Sequence, residues 1–192
     1  MKKLIFVLVV MICAVFTNAQ ADQRGYVTMG YGTGGDASGD NLSLDFGYLS
    51  KGLKVTNHIY PKMLVGFGFS VIFNGNDNAP SDLLDYACPH SDWTDKGWYK
   101  PGPEIPFFAK LGIGGDTGYG DLFVFGTLGP SFDSSSIQVG QSNVTGWYYT
   151  EDSEPGKTRP LVGYGIGYFN KIALTIETDN RRGITGSIGF AF

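Results

Sequence analysis

The residue types able to carry nucleophilic or metal chemistry are few, and most fall in one stretch. His58 and His90 are the two histidines, and Cys88 stands two positions before His90, flanked by Asp85 and Asp92. Zinc is held by four ligands, recognisable as Cys and His pairs at fixed short spacings. Cys88 and His90 do not match that spacing, so four ligands would meet only in a folded loop, and no metal site is expected. His90, Ser91 and Asp92 are the residue types of an acyl-transfer triad. A nucleophile needs its base within about 2.6–3.2 Å and a third group to orient that base. Three consecutive residues in a polar loop do not reach this arrangement by themselves. Residues 112–120, GIGGDTGYG, are glycine-rich like a phosphate loop. They lack the Lys-Ser/Thr pair and the following helix that place backbone donors on a phosphate. The expectation is no catalytic residue, no cofactor and no metal.

Isolated charges inside otherwise apolar segments are more informative. Asp45, Lys110, Asp121, Arg159, Lys171 and Glu177 share the parity of nearby Gly, Ala, Ser and Thr, with Arg24 and Arg182 as further candidates. Successive strand side chains point to opposite faces, so these charges belong to the face of small residues. Buried charges have to be paired. The expected arrangement is an internal network of salt bridges and water; a narrow ion path lined by the same residues is the competing one. Two long polar stretches, about 75–104 and 133–158, carry a second group: Trp93, Trp98 and Tyr99 in one, Trp147, Tyr148 and Tyr149 in the other. Exposed aromatics set among polar residues suit recognition. Packing onto a rim is equally open, and VTGWYYT (144–150) also reads as a strand extension.

The elements that would position these residues are strands. Period-two alternation recurs at about 24–34, 40–49, 63–74, 105–114, 119–132, 159–169, 171–179 and 182–192. Near the end, Ile184, Ile188, Phe190 and Phe192 share one parity, and Thr185, Ser187, Gly189 and Ala191 the other. The faces of 119–132 are less distinct, with Leu122, Val124 and Leu128 set against Asp121, Phe123, Phe125 and Thr127. A soluble sandwich also alternates, but its outer face carries charged and polar residues. Here the second face is small, which suits the inside of a narrow closed barrel, and the large face suits lipid. Ten residues at about 3.3 Å rise, tilted by roughly 40°, span about 25 Å, the height of an outer-membrane apolar band. With both ends on the inner side, the inner connections near 116–118 and 170 are short and the outer ones at 75–104 and 133–158 are by far the longest, while the outer ones after the first and seventh strands, GDASG and NRR, are short; short inner and longer outer connections are the habit of such barrels. Residues 50–62 are the exception, too long for a simple turn; strand 2 is expected to continue to about Thr56 through a bulge near Ser50–Gly52. The predicted fold is all-β, an eight-stranded antiparallel transmembrane up-and-down barrel.

The N-terminus reads as a secretory signal over 1–21: Lys2 and Lys3, an uncharged run from Leu4 to Phe16, then Thr17-Asn18-Ala19-Gln20-Ala21. Cleavage after Ala19 and after Ala21 fit equally. Cys13 lies inside the apolar run, not behind a small residue, so lipidation is not expected. The barrel domain would then occupy 22–192, with Cys88 as its one cysteine and no intrachain disulfide. Without Lys2 and Lys3, the 14 basic residues fall to 12 against 18 acidic ones, which argues against nucleic acid as partner. All 29 glycines lie beyond the signal, more than double the usual share of about 7%, with no collagen period.

The NAQA end, the GFGF (66–69) and GYGIGY (163–168) strands and the terminal aromatic Phe192 resemble the small outer-membrane β-barrels typified by the OmpA membrane domain and its porin-like relatives of the Bacteroidetes. The resemblance covers roughly 22–192 and marks no subfamily. It implies the outer membrane as location, lipid and lipopolysaccharide as surroundings, and contact with the barrel-assembly machinery, for which Phe192 would be part of the signal. Residues 22–192 are read as barrel alone, with no peptidoglycan-binding domain expected, so a wall-tethering role is not implied. In an exported bacterial chain the acceptor motif Asn143-Val144-Thr145 carries no weight. The functions in competition are a monomeric, non-enzymatic structural or surface-interaction barrel, a narrow channel for ions or small solutes, a lipid-active enzyme, and a soluble exported β-sandwich binder. On the first reading, protease added to intact cells cuts within 75–104 and 133–158 and spares the strands; cleavage inside the strands would exclude it.

Overall fold

The structure is a computed structural model, and it describes residues 24–37, 39–50, 61–73, 80, 83–84 and 93–192. The expected signal peptide, His58, Cys88 and the His90–Asp92 run lie outside the described residues.

Alternation of large and small residues produces eight barrel strands: β1 (Arg24–Gly34), β2 (Gly39–Leu49), β3 (Lys62–Phe73), β6 (Ile105–Asp116), β7 (Asp121–Phe132), β10 (Thr158–Phe169), β11 (Ile172–Asp179) and β12 (Gly183–Ala191). They close in the order β1-β12-β11-β10-β7-β6-β3-β2. Every barrel pair is antiparallel, including the closing pair, in which Tyr26 faces Ala191 and Thr33 faces Ile184. Closure leaves no barrel strand with an unpaired edge, which is the condition for backbone to sit in hydrocarbon. Among the described residues no helix is long and apolar enough to cross a membrane.

The two long stretches are not plain loops. They contribute β4 (Leu83–Leu84), β5 (Trp93–Tyr99), β8 (Ser136–Ser142) and β9 (Tyr148–Glu154), which form a separate sheet in the order β4-β9-β8-β5. The aromatic run 147–149 thus enters a strand, one of the expected alternatives. This sheet stands at one end of the barrel, the loop end. At the opposite turn end the connections are tight. Thr117 N donates to Gly120 O at 2.9 Å and Gly118 N to Asp116 Oδ1 at 2.6 Å, with Gly118 at φ 86°. Positive φ is open to glycine without a Cβ clash. Ser50 N donates to Met63 O at 2.8 Å; the expected extension of strand 2 past that point lies outside the described residues.

Burial follows the parity read from the sequence, β7 included: Phe123 and Phe125 are buried, while Leu122, Val124 and Leu128 are exposed. Inside the turn end, Tyr26, Leu49, Leu64, Phe123, Phe125, Phe169 and Ala173 form the apolar cluster. Tyr26 and Phe123 both pack on Phe169, at 5.0 and 5.6 Å between ring centroids. Rings fit in so narrow a barrel because glycine stands opposite them; a Cβ on Gly66 would strike the Tyr26 hydroxyl.

The outer face is the inverse. Met29 (69%), Leu111 (64%), Leu128 (63%), Ile184 (66%), Ile188 (62%) and Phe190 (68%) are all exposed. A continuous apolar surface of this kind is not that of a soluble monomer; it is the belt of a membrane-spanning barrel. Ile188 lies near the middle of β12, and replacing it with Arg should cost about 2–4 kcal/mol of stability, the range for a cation near the bilayer midplane. The urea midpoint of the protein folded in lipid vesicles reads this, and an unchanged midpoint would place that face out of hydrocarbon.

Candidate functional site: a charged plug below a small sheet

The middle of the lumen holds an alternating chain of charges. Lys110, on the inward face of β6, places Nζ 2.7 Å from Asp45 Oδ2 on β2 and 3.1 Å from Glu177 Oε1 on β11. Thr127 Oγ1 donates to Glu177 Oε2 at 3.2 Å. Arg182 Nη2 lies 3.2 Å from Glu177 Oε1, and its Nε donates to Asp179 Oδ2 at 2.6 Å. Asp179 also caps the turn between β11 and β12, accepting the backbone N–H groups of Arg181 (2.9 Å) and Arg182 (2.6 Å) on Oδ1. The side chains of Asp45, Lys110, Glu177, Asp179 and Arg182 are at most 1% exposed. Aromatic faces complete the packing: the Arg182 guanidinium lies 4.1 Å from the Phe108 centroid, and Lys110 Nζ lies 5.3 Å from Phe108 and 5.1 Å from Phe125. Such contacts stabilise a desolvated cation by about 2 kcal/mol.

Further ion pairs lie on either side of this chain. Toward the loop end, Arg181 Nε donates to Glu104 Oε1 at 2.7 Å, Nη2 pairs with Oε2, and Ser131 donates to the same carboxylate. The hydrogen bond it donates to Glu104 raises the Arg181 guanidinium above its ordinary pKa, so Arg181 stays charged. Its Nη1 is 3.7 Å from Asp36 in the neighbouring turn, and Asp36 N donates to Asn180 O at 2.8 Å, tying the two short turns together. At the turn end, Lys62 pairs with Asp121 beside a recess of about 420 Å³ lined by Arg24, Leu49, Ser50, Asp116, Tyr119 and Asn170 among others.

Asp45, Lys110 and Glu177 therefore meet as one group, and Arg182 joins them. Asp121 sits apart with Lys62. Arg159 and Lys171 correct the sequence reading. The Arg159 side chain is 43% exposed and faces Asp133 at 3.4 Å, and Lys171 is exposed in the turn before β11. Parity predicts burial only where neighbouring strands enclose the lumen; both residues stand at strand ends, beyond that enclosure. Glu104 and Arg181 were missed. Both lie in segments read as connections, where alternation carries no signal. Asp179 has inward parity, but nothing in the sequence marked it as the partner of Arg182.

The small sheet grows from the loop end. Asp133 accepts from Lys100 Nζ at 2.6 Å, and Asp133 N donates to Lys157 O at 2.9 Å, fastening its base. Edge strand β5 carries a bulge: Gly97, at φ 95°, donates to Asp95 Oδ1 at 2.8 Å, and the pairing register shifts there, leaving Lys96 out. A bulge with a lysine guards an edge against pairing with a further strand. Tyr149 is buried (7%), Trp93 is half-buried against Gly140, and Trp98 (42%) and Trp147 (57%) are exposed. Tyr99 and Tyr148 are half-buried. Tyr148 and Trp147 line a recess of about 480 Å³ with Leu83, Leu84 and Gly146. Phe192, at the other end, is exposed (77%), and its N–H donates to Gly25 O at 2.8 Å across the closing seam.

The fold and this site define a membrane-spanning β-barrel with a packed, charge-filled lumen and a separate small sheet beyond the bilayer. No family model matches the chain, and no curated protein does. Among solved structures it is similar to the attachment invasion locus protein Ail of Yersinia pestis, solved in complex with the heparin analogue sucrose octasulfate, at 12% identity over 90% of this chain and 100% of that one, with a TM-score of 0.38. At that level the likeness carries no weight for fold or function; the fold stands on the chain's own strand order. Among the described residues, no group of three or more His, Cys, Asp or Glu side chains is placed to hold a metal ion.

Removing one member of a buried ion pair leaves its partner uncompensated, at about 3–5 kcal/mol. Lys110→Met should therefore destabilise the barrel by that amount, whereas Arg159→Ala and Lys171→Ala should stay within about 0.5 kcal/mol. Urea midpoints of the three variants decide this; similar losses in all three would show that the buried chain is not special.

Proposed function

We propose that this chain is exported by its N-terminal signal and resides in the bacterial outer membrane as a monomeric, non-enzymatic barrel. It is structural within the bilayer and presents the small sheet for contact outside the cell. The observation that carries this reading is the fully buried Asp45–Lys110–Glu177–Arg182–Asp179 chain lying across the lumen, with the Tyr26–Phe123–Phe169 stack below it. A lumen filled in this way supports a plug over a pore; eight strands leave room for side chains and little else.

Lipid and lipopolysaccharide surround the apolar belt. Phe192 serves as part of the signal for the assembly machinery, a role its exposed position at the seam favours. The loop sheet is the contact surface, with Trp98 and Trp147 as its most accessible aromatics and Trp93, Tyr99, Tyr148 and Tyr149 as their support. Planar-bilayer recording tests the plug: the purified protein should give no steady unitary conductance in about 1 M potassium chloride, where charges are screened within about 3 Å. Reproducible open steps would favour the narrow channel instead.

A further inference from the structure

The buried charge chain has an odd number of members. Asp45, Glu177 and Asp179 are carboxylates, and Lys110 and Arg182 are the two cations between them. The Arg181–Glu104 and Lys62–Asp121 pairs are balanced within themselves. One negative charge is left over in a lumen surrounded by apolar surface, where an uncompensated charge is expensive. Both oxygens of Asp179 are engaged by Arg181 and Arg182. Asp45 is the open end: Oδ2 takes Lys110, and Oδ1 has no hydrogen-bond partner.

Asp45 also stands beside a wall of hydroxyls in the same condition. Thr28, Ser43, Thr175 and Ser187 are all at least nine-tenths buried, and none of their hydroxyl oxygens has a partner. The register brings them together. Thr28 lies directly across from Asp45, and Gly30 lies between Ser43 on β2 and Ser187 on β12, with Thr175 paired to Ser187. A Cβ on Gly30 would strike both the Ser43 and the Ser187 hydroxyl oxygens, so the two converge on one point. Asp45 and Thr28 are the next inward residues along their strands, about 7 Å further toward the turn end. The opposite wall is aromatic, with Phe108, Phe125 and Lys110.

We infer that the Asp45 carboxylate and the hydroxyls of Thr28, Ser43 and Ser187 form a buried site for one monovalent cation of sodium or potassium size. Water would satisfy the hydroxyls and leave the charge. A proton on Asp45 would remove the charge and leave most of the hydroxyl oxygens. A monovalent cation meets both conditions. A single carboxylate with neutral oxygens does not suit calcium, which takes 6–8 oxygens at about 2.3–2.6 Å, several of them from carboxylates. The nearby Lys110 ammonium opposes binding, but it is matched by Glu177 on its other side.

Crystals of the detergent-extracted protein soaked in thallous acetate test the site, thallium(I) standing in for potassium. The expected result is an anomalous peak in contact with Asp45 Oδ1 and the Ser43 and Ser187 hydroxyls. It should fall to background in Asp45→Asn, and in Gly30→Ala, whose methyl would take the same point. The unvaried protein should also melt at a higher temperature in potassium chloride than in choline chloride of equal ionic strength. No thallium peak at this wall, as water or a proton on Asp45 would give, overturns the inference. So does a peak of equal height in Asp45→Asn, or equal melting in the two salts.

Discussion

Hydrocarbon offers no partner for a backbone N–H or C=O, and this requirement organises the whole barrel. Eight strands meet it by closing on themselves, and β12 finds its last partner in β1. Closure at eight strands fixes a narrow lumen. The inward face must then be built from glycine, serine and threonine wherever a ring or a long charged side chain crosses from the far wall. Gly66 beneath Tyr26 and Gly68 beneath Phe108 are two such positions. The outward face has the opposite need, and there isoleucine, leucine and phenylalanine stand fully extended into the bilayer.

A packed lumen divides the molecule by function. At the turn end the interior is apolar, a stack of rings on Phe169. At mid-height it is ionic, with each cation held between carboxylates and against the Phe108 or Phe125 face. At the loop end, Arg181 and Glu104 cover that chain and join the turn of β11–β12 to the start of β6. The order from apolar to charged sets a rigid base under the small sheet. That sheet is joined to the base through Asp133, Lys100 and the backbone of Lys157. Rigid placement of a solvent-facing sheet lowers the ordering cost of any contact it makes.

The barrel strands were legible because two constraints coincide in each of them. Every second residue touches lipid, and every other residue must be small or find a partner. Residues 184–192 show both halves at once, Ile184, Ile188 and Phe190 against Thr185, Ser187 and Gly189. The ionic core was legible only where parity applied: Asp45, Lys110 and Glu177 sit mid-strand, and their meeting follows from closure. Arg159 and Lys171 have the same parity but lie where the wall ends, so parity misplaced them. Glu104 and Arg181 lie in connections, and only the three-dimensional path of the chain brings their 77-residue separation to one hydrogen bond. Apart from the strand at Tyr148 and Tyr149, the small sheet escaped for a related reason: its strands are short, shifted in register by bulges and partly paired in parallel, so no face of lipid contact imposes a period on them.

The division of faces is open to direct measurement by nuclear Overhauser contacts between protein methyl groups and the acyl chains of a detergent micelle. The account predicts contacts for Ile166, Ile176 and Ile188, and none for Leu49 and Leu64, which point into the lumen one side-chain layer away. Acyl contacts to Leu49 and Leu64 as strong as those to the three isoleucines, or none to any of the five, would contradict it.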